Sequence, residues 1–170
     1  MGRFLTSFLF MTAISLAQGT PDFSGKWSLD TEKSDDGDAV ILGGIGSTDR
    51  MSPNDRRTAE RLIGLVRALR VLEIHQSPAD FRLHDEADNV RIYYIDGKKH
   101  ARETPWGEKL ETVTKWEGSE LHARTDGKDL GEIDEVYAME GSQLLYTVKI
   151  RLEDSEQEVV IRSYYGRAKE

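Results

Sequence analysis

From Arg70 to the C-terminus apolar and polar side chains alternate with a period of two, the pattern of strands that bury one face. The alternation predicts strands over 70–76, 80–84, 89–95, 98–103, 109–116, 119–125, 130–138, 143–152 and 157–165. Turn formers separate them: Ser77-Pro78, Asp88-Asn89, Asp96-Gly97, Glu117-Gly118, Glu140-Gly141 and Asp154-Ser155. One earlier segment, Phe23–Leu29, alternates in the same way. Between it and the long strand series the period is 3.6. Ser52 stands at an N-cap, Pro53 at the first helical position and Asp55 near the positive end of the dipole. Ala59, Leu62, Ile63, Val66 and Leu69 then share one face, so a helix over about 53–69 lies on something apolar. Ahead of it, Ala39–Gly46 is apolar but glycine-rich and reads as a flexible loop. Its half Ala39–Leu42 either closes over a mouth or adds a short strand.

Short, regular spacing makes chain neighbours pair as an antiparallel meander, and about 8–10 strands suit a closed up-and-down barrel. Pairing arithmetic sorts the faces. A turn at Glu117-Gly118 sets Thr114 opposite Leu121 and Thr112 opposite Ala123 on one face. The other face then carries Lys115 against Glu120 and Glu111 against Arg124. In the last hairpin Leu144, Tyr146, Val148 and Ile150 meet Tyr165, Ser163, Ile161 and Val159, while Arg151 meets Glu158 outside. The expected fold is therefore mainly β, an antiparallel barrel with one helix between its first and second strands.

The first 17 residues change the picture of where the chain works. Arg3 precedes an uncharged apolar run from Phe4 to Leu16, and Ser15-Leu16-Ala17 ends it with small residues where a signal peptidase reads. The run falls short of the roughly 20 apolar residues a spanning helix needs. Residues 1–17 are thus expected to be a cleaved signal peptide, with 18–170 an exported domain, periplasmic or extracellular, and without a membrane anchor. The chain has 31 acidic and 23 basic residues, a net charge of −8; loss of Arg3 with the leader deepens it to −9. Such acidity, with no long basic run, argues against a nucleic-acid partner. Absence of cysteine excludes disulfides, thiolate metal sites and a Cys nucleophile.

Gly25-Lys26-Trp27 on the first strand resembles the G-x-W opening of lipocalins and their calycin relatives. By that resemblance Arg167, near the C-terminus, packs over Trp27 and closes one end of the barrel. The chain also resembles uncharacterised secreted bacterial proteins. The shared features are the opening Gly25–Ser34, a central Ile95-Asp96-Gly97-Lys98, the segment Lys115–Leu121 and a Tyr-x-Arg ending. The middle T-D-Y motif of lipocalins is missing. The helix after the first strand, and ten strands in place of eight, are arrangements of fatty-acid-binding proteins. A calycin-like barrel is the shared expectation, with a small apolar ligand inside it.

Candidate chemistry is sparse. His75, His84 and His122 fall on outer faces and no metal-ligand spacing exists, so surface histidines and no metal are expected. Gly43–Thr48 lacks the ending of a phosphate-binding loop. No nucleophile elbow is present. Glu135 is the exception. It falls on an inward face between Ile133 and Tyr137, where a carboxylate needs a hydrogen-bonding or cationic partner. The residues expected to line a ligand cavity are Tyr94, Thr112, Thr114, Trp116, Leu121, Glu135, Tyr137, Tyr146, Val148 and Tyr165. The function this implies is non-catalytic, cofactor-free binding of a small hydrophobic or amphipathic molecule by a monomer. Two other classes stay open: a filled barrel that docks a partner, and an isomerase or hydrolase using the cavity.

Overall fold

A computed structural model of the chain describes residues 19–45, 52–87, 89–104, 106–127, 130–151 and 158–169. The expected signal peptide lies outside the described residues. Strand β1 (Gly25–Leu29) leads into helices α1 (Gly37–Ile45) and α2 (Pro53–Val66). Strands β2 (Val71–Gln76), β3 (Asp80–His84), β4 (Val90–Tyr94) and β5 (Lys99–Glu103) follow. The longer strands β6 (Lys109–Glu117), β7 (Glu120–Asp126), β8 (Glu132–Glu140), β9 (Gln143–Arg151) and β10 (Glu158–Arg167) complete the order. These ten strands form one antiparallel sheet ordered β4-β3-β2-β1-β10-β9-β8-β7-β6-β5. Every chain neighbour from β2 onward pairs except β4 with β5, and β1 joins β10, curling the sheet into a barrel with one unpaired seam.

Two helices, not one, cover the barrel among the described residues. The segment expected as a flexible glycine-rich loop forms α1. Its start is held by Asp36, whose side chain accepts from the Ala39 amide at 3.2 Å. Its glycine serves contact: a Cβ on Gly44 would lie 2.4 Å from Cγ2 of Val159, so the residue lets α1 press against β10. Ile41 is buried beneath it. Helix α2 opens with a capping box: Ser52 Oγ accepts from the Asp55 amide at 3.2 Å and Asp55 returns the bond to the Ser52 amide at 3.3 Å. Ala59, Leu62, Leu65 and Val66 are its buried side chains. It ends at Val66, three residues early, because Arg67 turns to ψ 128°.

The last hairpin has the expected register, Leu144↔Tyr165 through Arg151↔Glu158. The hairpin expected around Glu117-Gly118 slips by two residues. The turn between β6 and β7 sits at Gly118-Ser119, with Gly118 at φ +65°, so Trp116 pairs with Leu121 and Thr114 with Ala123. Lys115 consequently faces His122 and Glu111 faces Asp126, and the expected cross-strand charge pairs do not form. A slip of two leaves every side chain on its expected face. The inward faces pack as a continuous core of Phe23, Trp27, Phe81, Tyr93, Tyr137, Tyr165 and their aliphatic neighbours.

Candidate functional site

Strand β8 turns Ile133, Glu135 and Tyr137 into the barrel, and Glu135 is fully buried. Four side chains converge on its carboxylate. Tyr146 of β9 and Tyr93 of β4 donate their hydroxyls to Oε1 at 2.8 and 3.0 Å. Arg91 of β4 approaches the same oxygen at 3.3 Å, and Arg102 of β5 donates to Oε2. Arg102 also donates to the Leu65 carbonyl in the last turn of α2, at 3.2 Å. One carboxylate therefore ties together β4, β5, β8 and β9, and Arg102 ties them to a helix.

Burial alone would raise the Glu135 pKa, but the Arg102 and Arg91 charges and the Tyr146 and Arg102 hydrogen bonds outweigh it, and the net shift is downward. Burial pushes the Tyr137 and Tyr146 hydroxyls well up, so both stay protonated. The cluster thus holds a fixed carboxylate, two guanidiniums and neutral phenols. A carboxylate with a lowered pKa and four donors is a poor general base near neutral pH. It is an anchor for charge, not a proton shuttle. The Tyr137 hydroxyl, buried in the same place, has no hydrogen-bond partner among the described residues.

The aromatic rings around this cluster fill the barrel. Tyr137 stacks on Tyr146 with centroids 4.9 Å apart and leans on Phe81 at 4.8 Å. Phe23 links Phe81 to Trp116, stacked at 5.6 Å. The open space lies at the barrel mouth instead. A cleft of about 590 Å³ runs between α1, the end of α2 and the inward faces of β1 and β10. Ile41, Ile63, Val66, Leu69 and Ile161 give it an apolar lining, while Asp36, Asp38, Arg67 and Arg70 reach its rim. Arg67 and Asp38 pair across the rim at 3.1 Å.

Of the residues expected to line a cavity, Thr112, Thr114, Leu121, Glu135, Tyr137, Tyr146, Val148 and Tyr165 are buried in the barrel, and Trp116 is half-buried. Thr112 is committed to the Thr125 hydroxyl at 2.8 Å. Tyr94 is not a lining residue. It is 44% exposed beside Val90 and Ile92, because β4 sends Arg91 and Tyr93 inward and its apolar residues outward. Sequence reasoning missed Arg91, Tyr93 and Arg102. Their only signal was the unmet demand of a buried Glu135 for cations. His122 also departs from expectation: it is almost fully buried on the outer face, with Asp134 at 3.0 Å on Nδ1 and Glu120 at 3.3 Å on Nε2. His75 and His84 are on the outer face, their rings 4.9 Å apart. Among the described residues no group of three or more His, Asp or Glu side chains is placed to hold a metal ion.

At the strand junction β1–β10 the Arg167 guanidinium lies 3.9 Å from the Trp27 ring centroid and donates to the Ser24 carbonyl at 2.6 Å. Gly25 explains the glycine of G-x-W. Its φ is +121°, and a Cβ there would fall 2.3 Å from Arg167 Nη1.

With this geometry in place, the comparisons with known proteins are informative about fold. Solved structures that share it include the following three. A REP1-NXSQ fatty acid transporter mutant matches with a TM-score of 0.56 and 17% identity, over 85% of this chain and 97% of its own. Caenorhabditis elegans lipid binding protein 8 matches at 0.56 and 17%, over 86% and 95%. Zebrafish ileal bile acid-binding protein, complexed with cholic acid, matches at 0.53 and 19%, over 86% and 98%. The barrel is that of the fatty-acid-binding proteins, a calycin-like fold. No family model matches the chain, and no curated protein sequence matches it.

Proposed function

We propose that this protein binds a small hydrophobic or amphipathic molecule non-covalently, as an exported, monomeric carrier. The observation that carries this reading is the helix-covered cleft. Its volume of about 590 Å³ lies within the range of small-molecule sites, and a lining that combines Ile41, Ile63, Val66, Leu69 and Ile161 with polar groups, Ser163 inside and Asp36, Asp38, Arg67 and Arg70 at the rim, suits an amphipathic guest. Burial of apolar ligand area supplies the affinity, and rim groups orient the polar end. Solved structures with this fold include proteins named for fatty acids, lipids and bile acid, which supports the ligand class. The saturated, lowered-pKa carboxylate of Glu135 favours binding over catalysis.

The test is native mass spectrometry of the purified protein together with titration of the neutral apolar dye N-phenyl-1-naphthylamine. A retained lipid-like mass, and dye binding abolished by Ile63→Trp, which fills the cleft, are expected. No adduct and no dye binding would remove the carrier reading. Export is tested separately. The mature protein should begin at Gln18 by intact mass, and a chain retaining residues 1–17 in the cytoplasm would refute the leader.

A second reading, docking of a protein partner, is favoured by one observation. Val90, Ile92 and Tyr94 expose 46%, 40% and 44% of their surface side by side on β4, whose outer edge has no ladder partner.

A further inference from the structure

The polar groups of the helix-covered cleft lie at two depths. Asp35, Asp36, Arg67 and Arg70 are exposed and Asp38 is half-buried, all at the rim. The carboxylates there are already committed. Asp35 accepts from the Arg162 amide at 2.7 Å, Asp36 from the Ala39 amide at 3.2 Å, and Asp38 from Arg67 at 3.1 Å. Water and salt screen charges so placed, so they discriminate weakly between guests. Deeper in, the described lining has one polar side chain, Ser163 of β10.

Strand β10 sends Val159, Ile161, Ser163 and Tyr165 inward, all of them buried. The serine is the small polar exception, 1% exposed, with Ile161 beside it in the cleft wall. Its hydroxyl has no hydrogen-bond partner among the described residues. Buried hydroxyls elsewhere in the barrel are held. Thr112 bonds Thr125 at 2.8 Å, and Tyr93 and Tyr146 bond Glu135 at 3.0 and 2.8 Å. Tyr165, next along the same face, is fully buried with its hydroxyl turned to the Leu69 main chain, and it is not part of the lining. A buried hydroxyl without a partner is destabilising, and open space beside it lets a guest supply the missing bond.

We propose that Ser163 is the specificity-determining residue of the cleft: it hydrogen-bonds a neutral group, a hydroxyl or carbonyl, on the end of the guest that enters first. The inference rests on the binding reading above and adds a polar contact at the deep end to those at the rim. Ile41, Ile63, Val66, Leu69 and Ile161 hold the apolar body between them. A site with one buried hydrogen bond to complete separates a guest that completes it from an isostere that does not.

The experiment is displacement of N-phenyl-1-naphthylamine from the full chain at pH 7 by 2-naphthol and by 2-methylnaphthalene, which has the same shape without the hydroxyl. At the rim water serves the naphthol hydroxyl equally well, so a gain comes only from turning it inward. Ser163→Ala should weaken 2-naphthol about fivefold, the scale of one neutral hydrogen bond, and leave 2-methylnaphthalene unchanged. A folded Ser163→Ala protein with the native ratio of the two affinities overturns the proposal. If that variant does not fold, the native protein decides by infrared spectroscopy. The carbonyl stretch of bound 2-acetylnaphthalene should lie at lower wavenumber than in hexane, and an unshifted band overturns the proposal. Failure of the native protein to take up the dye or either naphthalene overturns the carrier reading itself, a result distinct from an unaltered ratio.

Discussion

The barrel has two seams, and they are closed by different physics. At β1–β10 the backbone does the work. Trp27, Ser28 and Leu29 pair with Arg167, Gly166 and Tyr165, and further main-chain bonds run from Asp30 to Tyr164 and from Ala168 to Lys26. Side chains add a stacked Arg167–Trp27 pair on top. At β4–β5 there is no ladder. The connecting turn bonds outward to its flanks, Ile95 to Ala79 and Gly97 to Thr114. Across the gap itself side chains make the closure: the Tyr94 and His100 rings meet with centroids 4.6 Å apart, the Arg102 guanidinium lies 5.4 Å from the Tyr93 ring centroid, and the Glu135 carboxylate is reached from β4 by Arg91 and Tyr93 and from β5 by Arg102. A backbone seam is redundant and insensitive to any one side chain. A side-chain seam depends on a few residues, and most of its polar contacts share Glu135.

That contrast can be broken most forcefully at Glu135. Replacement by Leu leaves two buried or half-buried guanidiniums without their counter-ion, and urea denaturation should show a loss of about 3–5 kcal/mol. Backbone exchange should rise first in β4 and β5, whose outer edges lack partners, while β9–β10 amides stay protected. Equal acceleration at both seams would refute the asymmetry. At the other seam the effects should be smaller. Arg167→Ala should cost about 0.5–1 kcal/mol, and Trp27→Ala combined with it should fall short of additivity by a similar amount. Additive losses would mean that the stack carries no coupling energy.

The pH dependence sharpens the same comparison. Glu135 has a folded pKa below its unfolded value. Its contribution is complete above the ordinary glutamate range and is lost as pH falls through that range toward the folded pKa, because the unfolded chain takes up the proton first. Stability measured from pH 7 down to 3 should therefore decline less steeply in Glu135→Gln than in the native protein. The smallest effect is expected for Tyr137→Phe. Deleting a hydroxyl that has no partner should be neutral or stabilising by up to about 1 kcal/mol in thermal melts without ligand.

Much of the fold was legible in the sequence because strand periodicity is a local signal. Hairpin β6–β7 lies two residues from its expected register, yet Thr112 and Thr114 still fall on their expected faces, since only odd slips flip a strand. Helix α1 was hidden for the opposite reason. Its glycines read as looseness, and only the proximity of Val159 shows Gly44 to be a close-packing device. The seam cluster was half legible. A buried Glu135 demanded a cation, but the donors sit on strands whose pairing with β8 is indirect. Strand β4 also inverts the apolar-inward rule, so Tyr94 was chosen where Tyr93 belonged. Electrostatic need overrode hydrophobic pattern there, and alternation alone carries no record of that.

The order in which strands neighbour one another also has a kinetic consequence. Each ladder from β2 to β10 joins segments that follow one another in the chain, so these hairpins can form by closing short loops in microseconds. The β1–β10 ladder joins Trp27 to Arg167, nearly the whole chain apart, and must wait until the rest is assembled. Trp27 is buried by that final event, so its fluorescence should report the slowest folding phase, after the hairpin amides have already gained protection.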